Sequence, residues 1–435
     1  MKEEFLHYIW KTRQFNHVDL KTVDGQELEI NYQGDHNHDA GPDFFNAKIS
    51  IGEMQWSGNV EIHVHASDWL RHNHQKDDAY NNVILHVVLE SDIPLNSNLG
   101  NPMPTLALGN RIDKKMYGKY LLLQNSKDEI ACIERIKEVS GIKITSWLSR
   151  LLAERFERKI SELKTELEQN GNDWEETFYR HLARQFGMKV NAEPFQWLAA
   201  ALPFKIISRH RDNLLQTEAL LFGQSGLFPE FPEDIYTQSL MREYAHLRIK
   251  YKLNPMPAHQ WKLMRLRPNN FPTLRIAQLA GLFFRQPQLF RKCIETAEIH
   301  ELKNLLSASA SVYWNDHYRF GKISPASEKN LGVQSVDTIL INTIAPFKFL
   351  YGRIKGEEML EREAISLLEK ITAESNRITR QWKNAGIGSI SSADSQSLIE
   401  LMKNYCEKKR CLSCHIGNYL LEENPDRNRS LGNFL

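Results

Sequence analysis

The sequence predicts an α+β protein in which a small mixed-sheet domain precedes a large, mostly α-helical domain. Short extended patterns dominate the first ninety positions, whereas amphipathic helical spacing dominates from about Asp113 onward. Between them, "SDIPLNSNLGNPMPT" (91–105) is rich in Pro, Gly, Asn and Ser, a composition typical of loops and domain edges. We therefore predict an α/β domain at 1–112 and a helical domain at 113–435.

Composition limits the class of protein. At 435 residues the chain is too long for one simple core. Its 41% apolar and 25% charged residues are ordinary for a globular protein. A net charge of +1 excludes neither an acidic nor a basic binding partner, because local patches of opposite charge can cancel in the sum. No apolar run approaches the roughly 18 residues of a membrane span. The N-terminus lacks an export-signal pattern, and five cysteines do not form a disulfide scaffold. We expect a cytoplasmic protein with reduced thiols and no membrane partner.

The first ninety residues predict the element order α-β-β-β-α-β. A first helix is expected at 3–14, where apolar residues recur at helical spacing. Asp24-Gly25 marks a turn within a first, bent strand unit. Two further strands, "DFFNAKISI" and "QWSGNVEIHVH", are joined near Gly52. Ser67 is a predicted N-cap of a short helix, and "NVILHVVLE" predicts a buried strand.

The remainder of the chain predicts helices. "ITSWLSRLLAERFERKISELKTELEQ" is a long amphipathic pattern, and "DWEETFYRHLARQFG" is a second one that ends on Gly187. Further helical patterns lie near 212–222, 236–253, 273–304, 355–384 and 391–405.

The strand "NVEIHVH" divides its side chains between two faces. Its valines and isoleucine share one face, whereas Glu61, His63 and His65 share the other. If the hairpin turns near Gly52, Asp43 lies across from Glu61 and His63. Carboxylates on neighbouring strands can bind a divalent cation, which then acidifies a bound water molecule. The alternative is a polar strand face that is simply exposed to water.

Pro42-Asp43 followed by Glu61-Ile62-His63, within that element order, resembles the PD-(D/E)XK nuclease superfamily. The resemblance implies a restriction-endonuclease-like fold for the first domain. It implies that Asp43 and Glu61 hold Mg²⁺ or Mn²⁺ and that His63 replaces the usual lysine as base or third ligand. In several branches an acid on the first helix adds a ligand, and Glu4 is the candidate here.

Histidines concentrate in the same region and support a second hypothesis. Seven of the sixteen histidines fall between His36 and His86. A zinc- or manganese-dependent hydrolase of another class would use His63, His65 and neighbouring loop histidines as ligands. A third hypothesis is a non-catalytic nucleic-acid-binding or scaffold protein that has kept the fold and lost the lysine.

Three cysteines form a compact motif near the C-terminus. "YCEKKRCLSCHIG" contains Cys406, Cys411 and Cys414, a spacing found around metals in cytosolic proteins. Either Cys132 or His415 would supply a fourth ligand, and both zinc and an iron–sulfur cluster fit the spacing. The alternative is three buried thiols without a metal.

A basic stretch in the helical domain suits a phosphate backbone. Residues 241–300 contain eleven Lys or Arg and only three Asp or Glu, interleaved with aromatic residues. The candidate nucleic-acid contacts are Lys262, Arg265, Arg267 and Arg275. Alternatively, arginine stems cover helix grooves while the aromatic residues fill the core.

The whole chain also resembles an uncharacterised bacterial family found mainly in Bacteroidetes, through the segments "GPDFFNAKI", "GNVEIHVHASDW", "EALLFGQSGL", "RLRPNNFPTLRIAQLA" and "CLSCHIG". That resemblance implies no activity. The function predicted from the residues is metal-dependent hydrolysis of phosphodiester bonds in nucleic acid, with DNA favoured over RNA.

Overall fold

The computed structural model describes residues 1–97 and 100–422, which form two units. The first unit contains Met1–Trp147 and the chain from Leu401 onward, and the second contains Leu148–Glu400. The mixed α+β class predicted from the sequence is confirmed, with an N-terminal sheet and a mostly helical remainder. The units do not divide at the predicted boundary at residue 112, because a following helix packs on the sheet.

The first unit is built on a six-stranded sheet. Its spatial order is β1-β3-β4-β5-β6, and β2 pairs with β3 beside β1. The β1, β3 and β4 strands pair antiparallel, whereas β5 and β6 add parallel to β4. The strands are β1 (Leu28–Tyr32), β2 (Asp35–His36), β3 (Phe44–Ile51), β4 (Met54–His65), β5 (Val83–Glu90) and β6 (Thr105–Ala107).

Three helices accompany this sheet, namely α1 (Glu3–Thr12), α2 (Asp68–Arg71) and α3 (Lys114–Asn125). Helix α1 buries its apolar face completely in the core of the sheet. Helix α3 contributes Met116, Tyr120 and Leu123 to the same core, which explains why the unit extends beyond residue 112. The predicted first helix and the buried strand "NVILHVVLE" are both present as α1 and β5.

The Asp24-Gly25 turn does not join a regular pair of strands. An isolated bridge between Lys21 and Glu27 and a few backbone hydrogen bonds, such as that from the N–H of Thr22 to the carbonyl oxygen of Gln26, close it. The following strand, β1, instead pairs with the far end of β3, where Leu28 lies opposite Ile51. The Asp24-Gly25 turn predicts that the two segments it joins form a regular strand pair. Strand β1 pairs instead with β3, which is further along the chain and contributes to the same apolar core.

The second unit is helical. Its elements in chain order are α4 (Gly141–Gln169), α5 (Trp174–Phe186), α6 (Ala192–Ala201), α7 (Phe204–Ser208), α8 (Leu214–Ser225), α9 (Ile235–Tyr251), α10 (Pro272–Arg285), α11 (Leu289–Glu295), α12 (Ile299–Leu305), the hairpin β7 (His317–Arg319) and β8 (Lys322–Ile323), α13 (Val333–Ile339), α14 (Ala345–Lys355), α15 (Glu358–Lys370), α16 (Arg377–Asn384) and α17 (Ser392–Leu401). A single apolar core runs from Leu152 to Ala393. In the described part of the chain, no helix has the length and apolarity required to cross a membrane.

Helix α8 lies at the centre of this core and requires a glycine. A Cβ atom at Gly223 would collide with the ring of Tyr244 on α9. The absent side chain therefore allows the two helices to pack closely. From α17 the chain returns to the first unit and ends its described part with α18 (His415–Leu421).

Helix α8 also buries a carboxyl group. Glu218 is 1% exposed. Burial raises its pKa to about 7, and hydrogen bonds with Ser311 and Tyr236 oppose that rise only in part. Ionisation of Glu218 therefore destabilises the folded state.

We expect the stability of the second unit to fall as the pH rises. The folded-state pKa of Glu218 lies above its ordinary value of 4.5. Its contribution is thus fully present below about pH 4.5 and is lost as the pH passes about 7. Glu218→Gln should remove about 1–3 kcal/mol of this decline in unfolding free energy between pH 5 and 8.

Denaturant unfolding at several pH values measures the effect. Glu230→Gln, at an exposed position of the same unit, is the control and should leave the decline unchanged. An identical pH profile for Glu218→Gln and the wild type would contradict this assignment.

Candidate metal centre

The site begins at an irregular hairpin in the sheet of the first unit. Phe44 pairs with Val60, but Ala47 pairs with Gly58, so β3 contains one extra residue between these positions. Asn46 has a φ of 59° within this bulge. The shift places Asp43 opposite Glu61 rather than opposite Ile62, and directly opposed residues share a face of the sheet.

Reciprocal hydrogen bonds hold Asp43 and Glu61 together. The backbone N–H of Asp43 donates to Oε2 of Glu61 at 3.1 Å. The backbone N–H of Ile62 donates to Oδ2 of Asp43 at 2.9 Å. Each carboxylate is thereby fixed by the strand that carries the other, and Oε1 of Glu61 points towards a group of histidines.

Helix α1 brings a histidine to the same place. Nε2 of His7 lies 3.2 Å from Oδ2 of Asp43 and 3.8 Å from Oε1 of Glu3. Burial lowers the pKa of His7, but the hydrogen bond and charge of Asp43, with Glu3 and Glu61, outweigh it and raise the pKa above its usual value. His7 thus places an imidazole nitrogen directly beside the carboxylate of Asp43.

Three imidazoles converge in front of Glu61. Ring nitrogens of His63, His72 and His74 all lie within 4.8 Å of one another. Nε2 of His63 is 3.1 Å from Nδ1 of His72. Oε1 of Glu61 is 3.2 Å from Nε2 of His74 and 3.6 Å from Nε2 of His63. The three imidazoles, which offer nitrogen ligands, and the adjacent carboxylate of Glu61 define the histidine centre.

The segment after β4 explains how His72 and His74 meet. Helix α2 ends at Arg71, His72 is its C-cap, and the next residue, Asn73, is left-handed with a φ of 63°. A short 3₁₀ turn then begins at His74. In a continuous helix these two histidines would diverge, but the left-handed residue reverses the chain so that both face His63. Asparagine is among the few residues that tolerate this conformation.

Aromatic packing surrounds the histidine centre. The Trp69 ring is fully buried and its centroid lies 5.4 Å from those of His74 and His86. The Tyr80 ring stacks on His74 at 3.9 Å. On the inner side, Nδ1 of His63 lies 2.8 Å from Nε2 of His86, a fully buried residue of β5. This contact orients the His63 ring and directs its Nε2 outward to the centre.

Burial keeps the inner imidazoles neutral. Together with the charge of neighbouring histidines, it lowers the pKa of His63 to about 2 and that of His86 to about 3. Burial also raises the pKa of Glu61 to about 6, against the opposing hydrogen bond of His74. A neutral imidazole has a lone pair available for a metal ion, and it is the form in which histidine binds one.

The spacing of the donors fits one transition-metal ion. Around tetrahedral zinc, with bonds of about 2.0–2.2 Å, neighbouring ligand atoms lie about 3.3–3.6 Å apart. The three imidazole nitrogens lie within 4.8 Å of one another, and the pair formed by Nε2 of His63 and Nδ1 of His72 is 3.1 Å apart, within a few tenths of an ångström of these values. His72 is exposed while the other donors are buried, so solvent reaches the centre from one side.

The structure brings together three of the residues singled out from the sequence. Asp43, Glu61 and His63 lie at one place, whereas Glu4 and His65 lie elsewhere. Glu4 is exposed and accepts a hydrogen bond from the hydroxyl of Tyr120.

Glu4 lies away from the site because it is on a different face of helix α1. Glu3 and His7 are four residues apart and share the face of α1 that meets the site, whereas Glu4 is rotated by about 100° away from it. His65 does share the strand face of Glu61 and His63. However, it lies at the open end of β4, its side chain is 45% exposed, and Nδ1 lies 3.9 Å from Oε2 of Glu90.

Sequence reasoning missed His7, His72, His74 and His86 as members of the site. The motif His72-Asn73-His74 contained the decisive signal, since an asparagine between two histidines allows a left-handed residue to bring both rings together. His7 and His86 have no comparable local signal, because only the tertiary fold places α1 and β5 beside the hairpin.

The candidate nucleic-acid contacts differ in exposure. Lys262, Arg265 and Arg267 are exposed on the second unit. Arg275, in contrast, is 4% exposed, and its guanidinium group donates to Asn270, Gln278 and Ser335. Arg275 is therefore a structural residue of the helical core rather than a surface contact, because its stem lies on the inner face of α10.

The four candidate cysteine ligands also meet. Cys132, Cys406, Cys411 and Cys414 line one small cavity in the first unit. Among the described residues no disulfide links them, and Cys293 lies apart in the core of the second unit.

Comparison with known proteins identifies a family. A family described as protein of unknown function (DUF2851) matches residues 3–377. The chain belongs to this family. All of the segments on which the whole-chain resemblance rested lie within the match except the last, "CLSCHIG". No curated protein and no solved structure matches the chain.

We expect the backbone at Asn73 to control metal binding. Asn73→Val places a β-branched side chain in the left-handed region, which is strongly disfavoured, and should turn His72 and His74 apart. Zinc affinity, measured by competition with a chromogenic chelator, should fall about tenfold or more. Asn73→Gly, which adopts the same φ freely, should bind zinc as the wild type does.

A matched variant distinguishes the effect of backbone strain on stability from the effect of misplaced ligands on zinc affinity. Asn172 is also exposed and left-handed, with a φ of 62°, but it lies in the second unit. Asn172→Val should reduce stability comparably without changing zinc affinity. Equal zinc affinity in Asn73→Val and the wild type would show that this turn does not position the ligands.

Proposed function

We propose that this protein is a metal-dependent hydrolase whose ion is held by His63, His72 and His74. The observation that supports this proposal is the convergence of three ring nitrogens within 4.8 Å beside a buried carboxylate. A surface cluster of polar residues would not require His63 to be 1% exposed with its ring oriented by His86. The imidazole donors favour zinc or manganese over magnesium, which prefers oxygen ligands.

Glu61 is the group best placed to handle protons. Its Oε2 is fixed by the backbone of Asp43, which leaves Oε1 facing the three imidazoles. A bound ion of this kind acidifies a water molecule and offsets negative charge on a substrate oxygen. Glu61 would accept the proton of the attacking water, and Asp43 with His7 would hold Glu61 in position.

The substrate class that we propose is a phosphodiester of nucleic acid, with DNA favoured. The order α1-β1-β3-β4-α2-β5, with Asp43 and Glu61 on its hairpin, is similar to that of the PD-(D/E)XK nucleases and supports this choice. The exposed Lys262, Arg265 and Arg267 add a basic surface suited to phosphates. The unpaired cysteines support a reducing, cytoplasmic location.

The histidine donors also favour a second candidate, a zinc- or manganese-dependent hydrolase of another class. The two candidates share the metal centre and differ in the bond that is cleaved.

Metal analysis tests the centre itself. Purified wild-type protein should bind about one zinc or manganese ion at this site, and His72→Ala and His74→Ala should each weaken binding at least tenfold. His65→Ala, which removes a neighbouring imidazole outside the centre, is the matched control and should retain full binding. Equal metal content in all four proteins would exclude the histidine centre.

A cleavage assay tests the reaction. With Mn²⁺, Zn²⁺ or Mg²⁺, wild-type protein should cleave DNA, RNA or a simple phosphodiester. Glu61→Gln should lower the rate by about 10²–10⁴ because it removes the base while preserving side-chain shape. Asp43→Asn should lower it less, because this residue acts by positioning Glu61.

Glu53→Gln changes an exposed glutamate at the turn of the same hairpin and should leave the rate unchanged. Retention of full activity by Glu61→Gln would refute the proposed role. Metal binding without cleavage of any phosphodiester would instead favour the second candidate.

A further inference from the structure

Four cysteines that are distant in sequence converge away from the histidine centre. Cys132 lies in the turns after α3, and the other three lie in the returning C-terminal segment. Cys406 ends a π-helical turn, Cys411 begins a 3₁₀ turn and Cys414 precedes α18. Together they line a cavity of about 20 Å³.

The four thiols form one group. Each of the six possible pairs among Cys132, Cys406, Cys411 and Cys414 is close enough for one thiol to alter the ionisation of the other. Four of the five cysteines lie at one place. Packing alone does not explain this grouping, because cysteines that only fill space in a core occur singly.

The spacing of the sulfur atoms distinguishes between metals. Around one tetrahedral zinc ion with Zn–S bonds of about 2.3 Å, the sulfur atoms lie about 3.8 Å apart. In the described residues, which include all five cysteines, no three sulfur atoms lie within 4.8 Å of one another. A cubane cluster requires wider spacing, because each thiolate binds a separate iron at its own corner.

The backbone around Cys414 is arranged to support a bound thiolate. The backbone N–H groups of Ile416 and Gly417 form hydrogen bonds with its sulfur atom. Hydrogen bonds to cysteine sulfur are a general feature of iron–sulfur sites. A Cβ atom at Gly417 would collide with the carbonyl oxygen of Cys411, so the glycine allows Cys411 and Cys414 to approach.

We propose that Cys132, Cys406, Cys411 and Cys414 ligate a [4Fe–4S] cluster. Each thiol releases one proton and its thiolate binds one iron of the cluster, so binding involves no change in oxidation state. The cluster would link the turns after α3 to the C-terminal segment within the first unit. It is separate from the hydrolytic centre and does not depend on the activity proposed for it.

The C-terminal segment is also held independently of any cluster, which makes the proposal testable by substitution. The side chain of Gln124 donates to the carbonyl oxygen of Lys409 at 2.9 Å, and Nζ of Lys409 donates to that of Ser126 at 2.8 Å. Nζ of Lys119 donates to the carbonyl oxygen of Leu421 at 3.2 Å. Serine variants of the ligands should therefore still fold.

The experiment is anaerobic purification of the full chain, or anaerobic reconstitution with equal amounts of ferrous and ferric iron and with sulfide, which supplies the mixed valence of the cluster without a further oxidant. Wild-type protein should contain about four irons and four acid-labile sulfides per chain and show broad visible absorption from sulfur-to-iron charge transfer. Cys411→Ser and Cys414→Ser should lower sulfide content at least tenfold, with circular dichroism unchanged. Cys293→Ser, at a cysteine outside the group, should keep the full content.

Acid-labile sulfide reports on this site alone, because the histidine centre binds no sulfide. One zinc per chain that is lost in Cys414→Ser, without sulfide, would overturn the proposal in favour of a single-ion site. The absence of any metal dependent on these cysteines, in protein with native circular dichroism, would also overturn it.

Discussion

The reciprocal hydrogen bonds between Asp43 and the strand that carries Glu61 determine the geometry of the histidine centre. They depend on the single extra residue in β3, which brings Asp43 opposite Glu61. A backbone N–H fixes Oε2 of Glu61. The other carboxylate oxygen, Oε1, therefore faces His63 and His74. A regular hairpin would place Asp43 opposite Ile62, whose side chain points into the apolar core.

Desolvation then decides what kind of ion this arrangement suits. The burial that lowers the pKa of His63 also packs it against His86, whose ring in turn contacts Trp69, so the His63 ring stays neutral and oriented. The carboxylates, meanwhile, are partly engaged by backbone N–H groups and by His7, and they offer fewer oxygen atoms than magnesium prefers. Strand spacing places the two carboxylates together but does not reveal these competing donors, which only the tertiary fold brings to them.

Strand parity and element order could be read from the sequence because they depend on local periodicity. The common face of Glu61 and His63, helix α1 and the buried strand β5 follow from that periodicity alone. The bulge at Asn46 and the left-handed Asn73 could not be located this way, since each is a single backbone conformation stabilised by tertiary contacts.

Long-range neighbours were even less accessible to sequence reasoning. His7 reaches Asp43 only because α1 lies against β4, and Glu4 faces away only because of its phase on that helix. The same applies to Arg275, for which a basic composition indicated a surface and the fold placed the side chain inside. Composition reports which charges are present, whereas the packing of whole elements decides which of them meet solvent.

The first unit is interrupted by the whole of the second, Leu148–Glu400, and this has a consequence for synthesis. On the ribosome, the strands β1 to β6 emerge before the second unit, but the segment that carries Leu421 into their core is made only after the whole of that unit. Part of the apolar surface of the nascent sheet therefore remains uncovered while the helical unit is synthesised. Termination of synthesis near residue 400 would therefore damage the first unit, although the missing residues are separated from its strands by the whole of the second unit.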